Sequence, residues 1–166
     1  MRGRIVKVVL FALAFAFVEA AVVVYLRHLL GATQTPVNSR EILFLIPGIA
    51  FLEPQTAVKI IANTAILNIE RIREAATIVM LGSVALLAAG KNFKEQVAFF
   101  FVAFGIWDIF YYVFLKLTID WPVGFTDPDI FFLLPTPWVG PVFVPILISS
   151  FLVVVSMIYL VKRREL

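Results

Sequence analysis

Val142-Phe-Val-Pro-Ile-Leu-Ile-Ser-Ser-Phe-Leu-Val-Val-Val-Ser-Met-Ile-Tyr-Leu-Val161 runs for 20 residues without a charged side chain and stops at Lys162, Arg163 and Arg164. As a helix, at about 1.5 Å per residue, it reaches roughly 30 Å, the thickness of a bilayer's hydrocarbon core. The solvent of this stretch is therefore lipid, and three further spans lie upstream. Residues 8–26, between Lys7 and Arg27, are interrupted only by Glu19. Residues 75–90 are uncharged but too short to cross alone, so that helix is predicted to start earlier and to carry Glu70, Arg71, Arg73 and Glu74 into or near the headgroup region. Residues 96–115 contain one acid, Asp108. The composition agrees: 62% of the 166 residues are hydrophobic and 15% charged, and the mean hydropathy is +1.01, whereas soluble domains sit near about 25% charged. A signal peptide is the rival reading of the N-terminus, with Arg2, Arg4 and Lys7 ahead of an apolar run, but that run resumes beyond Glu19.

The chain has no cysteine, which removes disulfides, thiol catalysis and cysteine-ligated clusters supplied by this chain. Its one histidine, His28, argues against a histidine-rich metal site and reads as an interfacial anchor. No cofactor is expected. The net charge of +3 is spread beside apolar spans and forms no continuous patch, so membrane lipid rather than nucleic acid is the expected partner. Arg2, Arg4, Lys7, Lys91, Lys94, Lys162, Arg163 and Arg164 outnumber the six remaining basic residues, which predicts both termini on the cytoplasmic side of a plasma (inner) membrane. The outer side then receives the long connections, 28–60 and 117–141. Within them Ile42-Leu-Phe-Leu-Ile-Pro47 and Ile130-Phe-Phe-Leu-Leu-Pro135 are too apolar for ordinary loops and too short to span. With prolines 47, 135, 137 and 141 and with Trp121 and Trp138, both read as interfacial or re-entrant segments.

A shift of 89 residues lays the first span on the third. Glu19 falls on Asp108 and Arg27 on Lys116, with Phe11, Ala14, Phe15, Val24 and Leu26 on identical residues. A shift of 88 lays Glu41-Ile-Leu-Phe-Leu-Ile-Pro47 on Asp129-Ile-Phe-Phe-Leu-Leu-Pro135. The expected fold is thus an all-α, four-helix membrane domain over 1–166, built as two parallel two-helix repeats, about 5–90 and 95–162, each with an outer-side segment. Glu70 to Glu74 has no counterpart in the fourth span.

A carboxylate well inside a bilayer costs about 2.5–3.5 kcal/mol and by default faces the bundle interior. Glu19 and Asp108 meet that description at matched depth, and Glu70 and Glu74 share a helical face near Arg73. The candidate site is Glu19, Glu70, Arg73, Glu74, Asp108 and Tyr112, converging in the outer half of the bundle. Tyr111 or Tyr112, three and four residues after Asp108, is placed to hydrogen-bond it. Carboxylate oxygens suit protons or hard cations such as sodium, calcium or magnesium. The competing reading is that Glu19 and Asp108 pair with Arg73, Lys116, Arg27 or tyrosine hydroxyls and only fix helix packing.

The stretches Glu19-Ala-Ala-Val-Val-Val-Tyr-Leu-Arg27, Arg73-Glu-Ala-Ala-Thr-Ile-Val-Met-Leu81, Trp107-Asp-Ile-Phe-Tyr-Tyr112 and Pro135-Thr-Pro-Trp-Val-Gly-Pro141 resemble a group of uncharacterised bacterial four-helix membrane proteins. That resemblance implies a fold and a plasma-membrane location, and no activity. Glu70-Arg-Ile-Arg-Glu-Ala75 is faintly similar to the second-helix pattern of membrane-associated eicosanoid and glutathione metabolism enzymes, but its arginines are one position closer and the following asparagine is missing. Three functions are compatible with these residues: ion- or proton-coupled transport or cation binding at the carboxylates, an accessory subunit of a larger membrane complex or homo-oligomer, and an intramembrane enzyme using Glu70, Arg73 and Glu74.

Overall fold

Long apolar runs close their own backbone hydrogen bonds as helices, the only open-chain solution in lipid, and four such helices form the body of the computed structural model, which describes residues 2–30 and 39–163. They are α1 (Arg2–Leu30), α3 (Thr64–Ala89), α4 (Phe93–Ile119) and α5 (Phe143–Lys162), with a one-turn α2 (Thr56–Ile60) before α3. All four are long and apolar enough to cross a membrane. Asn63 caps α3 by accepting from the Ala65 and Ile66 amides at 3.0 and 3.2 Å, and Asn92 caps α4 through the Glu95 amide at 3.0 Å. Asp120 ends α4 in the left-handed region, φ 53°. Arg164 and residues 31–38 of the first long connection lie outside the described residues.

α4 is the central helix and packs along α1, α3 and α5. On α1 the buried positions Val8, Ala12, Ala16 and Ala20 recur every fourth residue, a stripe of mostly small side chains that brings the backbone close to α4. On α4, Phe99, Val102 and Ala103 are fully buried against it. Large apolar residues elsewhere, Leu10, Leu87, Leu147 and Phe151 among them, stand exposed around the bundle, the arrangement a lipid solvent requires. At one end Glu95 accepts from Arg4 at 3.5 Å and Arg163 at 2.8 Å, joining the starts of α1 and α4 to the end of α5.

At the other end the mostly helical body carries a small sheet. The two short apolar segments are β-strands: β1 (Ile42–Ile46) with β2 (Ile49–Leu52), and β3 (Pro128–Phe132) with β4 (Trp138–Pro141), form one four-stranded antiparallel sheet in the order β1-β2-β4-β3. Five consecutive β-branched, leucine or aromatic residues ahead of a proline favour a short strand over a helix. In the first hairpin Pro47-Gly48 supplies the turn, with Gly48 at φ 82° as a type II turn requires of its third residue. The hairpins meet where Gly140 faces the Gly48 carbonyl, and a Cβ on Gly140 would lie 2.2 Å from that oxygen. Phe44 stacks on Phe51 at 4.1 Å and Phe51 packs on Trp138 at 4.8 Å, so aromatic rings bind strand to strand across the sheet.

Candidate functional site

Glu19 lies eleven residues before the end of α1, and Asp108 eleven before the end of α4. By helical rise each sits about 16 Å below that end. Both are buried, as are Glu70 and Glu74 on α3. Arg73 joins two of the four: its guanidinium forms an ion pair with Glu19 and another with Glu70 at 2.7 Å. Glu19 also accepts from the Thr77 hydroxyl at 2.8 Å, and Thr77, one turn beyond Arg73, is itself buried.

Glu74 and Asp108 are in no ion pair among the described residues. Glu74 accepts the Leu133 amide on both carboxylate oxygens, at 3.0 and 2.9 Å, so a helix carboxylate takes up a backbone donor where β3 ends. Asp108 accepts the Ser149 hydroxyl at 2.7 Å. That contact is set by Gly105, one turn earlier on α4, whose missing side chain admits α5: a Cβ there would lie 2.7 Å from the Ser149 carbonyl and 2.5 Å from Val153.

The expected pairing of Asp108 with a neighbouring tyrosine is corrected. The Tyr112 hydroxyl donates to Asp129 at 3.0 Å, and Asp129 also pairs with Arg27 at 3.4 Å, whose guanidinium lies 3.9 Å over the Trp121 ring. Tyr112 points up its helix toward the hairpin, while Asp108 turns to α5 across the Gly105 contact. Arg27 and Lys116, each eight residues past an intramembrane acid, pair with neither. Lys116 is bound to Asp120 at 2.7 Å, and its hydrogen bond and charge hold the exposed Asp120 carboxyl below the usual range.

Glu19, Arg73, Glu74, Asp108 and Tyr112 line one cavity of about 70 Å³, together with Tyr111, Thr77 and Trp107. At roughly 10–15 Å³ for each water it has room for a handful of them. Glu70 is not in the lining and reaches the cavity only through Arg73. The Trp107 indole N–H is buried without a partner among the described residues. Among the described residues no three carboxylate or histidine side chains are grouped to hold a metal ion. Thr77 and Ser149 escape a reading of the sequence as site residues, because hydroxyls in apolar helices are common and nothing local marks these two. Asp129 shows its signal only as the acid that opens the second apolar segment. Comparison with protein-family models, curated proteins and solved structures finds no match to this chain.

Proposed function

We propose that this is a small plasma-membrane protein whose intramembrane carboxylate site takes up and releases protons in proton-coupled transport. The observation that carries the reading is a charge imbalance: four buried carboxylates, Glu19, Glu70, Glu74 and Asp108, surround one guanidinium, Arg73, which pairs with two of them. An ionised carboxylate inside a bilayer costs about 2.5–3.5 kcal/mol, so Glu74 and Asp108 are best neutralised, and with no grouped metal ligands among the described residues a proton is the cation that suits them. The cavity they share with the Glu19–Arg73 pair, with room for a handful of waters, supports proton exchange there.

The test is proton flux into protein-containing vesicles enclosing a pH-sensitive dye, driven by a potassium diffusion potential. Flux above that of empty vesicles is expected, falling at least tenfold in Asp108→Asn and Glu74→Gln. Protein-containing and empty vesicles behaving alike would overturn the reading.

The two-repeat architecture is part of this proposal and places Glu19 and Asp108 as equivalents. Three features support it. A hairpin follows α1 as another follows α4. The pairs Ala50↔Val139 and Phe51↔Trp138 exchange with each other under the 88-residue shift, as a twofold axis between β2 and β4 demands. The register breaks between Ile42 and Phe44 and between Ile130 and Phe132, which are equivalent positions.

An accessory-subunit role is the second reading, resting on edge strand β1, where Leu43, Phe44, Leu45 and Ile46 are all exposed. Stoichiometric partner chains after mild-detergent extraction would favour it. An enzyme at Glu70, Arg73 and Glu74 has little support, since all three side chains are engaged in ion pairs or the Leu133 amide bonds.

A further inference from the structure

Strand β1 is an edge left open. Its sequence, Ile42-Leu-Phe-Leu-Ile46, has no charge, proline or glycine, and among the described residues β2 is its only neighbour in the sheet. Natural edges are blunted by charged side chains, proline, bulges or a covering element; β1 has only a bulge, between Ile42 and Phe44. Leu43 and Leu45 are 58% and 69% exposed, and Phe44 and Ile46 are exposed as well. Successive side chains of a strand point to opposite faces, so apolar surface stands bare on both faces of this arm. Lipid accepts those side chains but leaves the edge's backbone groups unmet. Water satisfies the backbone but not the side chains. A further strand satisfies both.

We propose that this strand is β1 of a second copy, paired antiparallel about a twofold axis at Phe44. Ile42-Leu-Phe-Leu-Ile46 reads the same in both directions. Self-pairing centred on Phe44 therefore sets Ile42 against Ile46, Leu43 against Leu45 and Phe44 against Phe44, each side chain meeting one of its own kind. Beyond the strand Glu41 falls opposite Pro47 and Arg40 opposite Gly48, so no like charges meet. The sheet's orientation suits a shared membrane. Its chain from Asp129 to Leu133 reaches from Arg27 on α1 to Glu74 on α3, across the bundle rather than along it. A twofold normal to such a sheet runs with the helices and keeps both copies the same way up in one bilayer. The opposite edge, β3, opens with Pro128 and turns Asp129 inward to Arg27 and Tyr112, which closes it to pairing and stops assembly at two copies. The inference gives the β1 edge to the chain itself rather than to a foreign subunit, and it does not rest on the proton reading.

Because the chain has no cysteine, introduced cysteines report the pairing directly. Opposed Cα atoms in an antiparallel pair lie about 4.5–5.5 Å apart, within disulfide reach. In phosphatidylcholine vesicles at low protein content, treated with copper phenanthroline, Phe44→Cys is expected to form a covalent dimer, since it alone faces itself across the axis. Leu43→Cys and Leu45→Cys keep the Phe44–Phe51 stack. Each should crosslink poorly alone, and the two reconstituted together should give about tenfold more dimer, because each opposes the other. Leu45→Lys added to Phe44→Cys should remove most of the crosslink while helicity is retained. Equal crosslinking of all three single variants, or no gain in the mixed sample, would overturn the proposal. So would a native protein that is monomeric by single-molecule photobleaching, or a different chain found crosslinked to Leu45→Cys in native membranes. Proton flux is read without oxidant in separate vesicles, so loss of one reading leaves the other standing.

Discussion

Arg73 is the residue on which the polar interior turns. Its guanidinium lies between Glu19 and Glu70, and replacing one partner of a buried pair leaves uncompensated charge that destabilises by about 3–5 kcal/mol. Arg73→Gln is therefore expected to lower the resistance of the purified protein to denaturing detergent by an amount in that range, read from helicity against detergent fraction. Asp108→Asn should behave in the opposite way. Its amide oxygen still accepts from Ser149, and no ion-pair partner is left uncompensated, so stability should stay within about 1 kcal/mol of the native value. A large loss of helicity in Asp108→Asn would make the aspartate a packing element. That Glu19 and Asp108 are exceptional was legible in the sequence, because an acid in an apolar span is costly wherever it points. Arg73 was among the partners open to Glu19, but the hydroxyl partners were not legible: Thr77 and Ser149 come from other helices, 58 and 41 residues away.

Between elements, close approach is decided by side chains that are missing. At Gly105 a methyl group would press on the Ser149 carbonyl and Val153, forcing α4 and α5 apart. Overpacking of this kind costs about 1–3 kcal/mol, and here it also displaces Ser149 from Asp108. Gly105→Ala is expected to lose stability in that range and to weaken the proton flux, whereas Gly82→Ala, where a Cβ meets nothing within 4 Å, should change neither. The α1 stripe of Ala12, Ala16 and Ala20 works the same way. The strands show the limit of such reading. A five-residue apolar run looks the same whether it becomes a strand, an interfacial turn or part of a buried helix. What makes strands of these runs is the partner each finds: β1 needs β2, and β2 needs β4 from the far half of the chain.

For the whole molecule, the ion cluster of Arg4, Glu95 and Arg163 gathers the starts of α1 and α4 and the end of α5 at the face opposite the sheet. Arg4 and Arg163 are more than a third exposed, so each pair contributes about 1 kcal/mol or less and the cluster orients more than it stabilises. The absence of native cysteine makes the membrane orientation directly measurable. With both termini cytoplasmic, a membrane-impermeant maleimide should label Gly124→Cys in intact cells and Lys91→Cys only after permeabilisation. The reverse pattern would invert the orientation.

The sequence alone determined that four segments are long and apolar enough to cross a bilayer, and that Glu19 and Asp108 are acids set inside two of them. Each follows from a local quantity: the length of an uncharged run, the rise of a helix, the cost of a carboxylate without water. Only the tertiary structure decided which acids share Arg73, that Asp108 faces α5 rather than its own tyrosines, and that two apolar loops close into one sheet. Those outcomes depend on rotation of one helix against another and on strand pairing between distant parts of the chain. Neither is encoded in the periodicity of a single apolar segment, because in lipid every face of such a helix can be apolar.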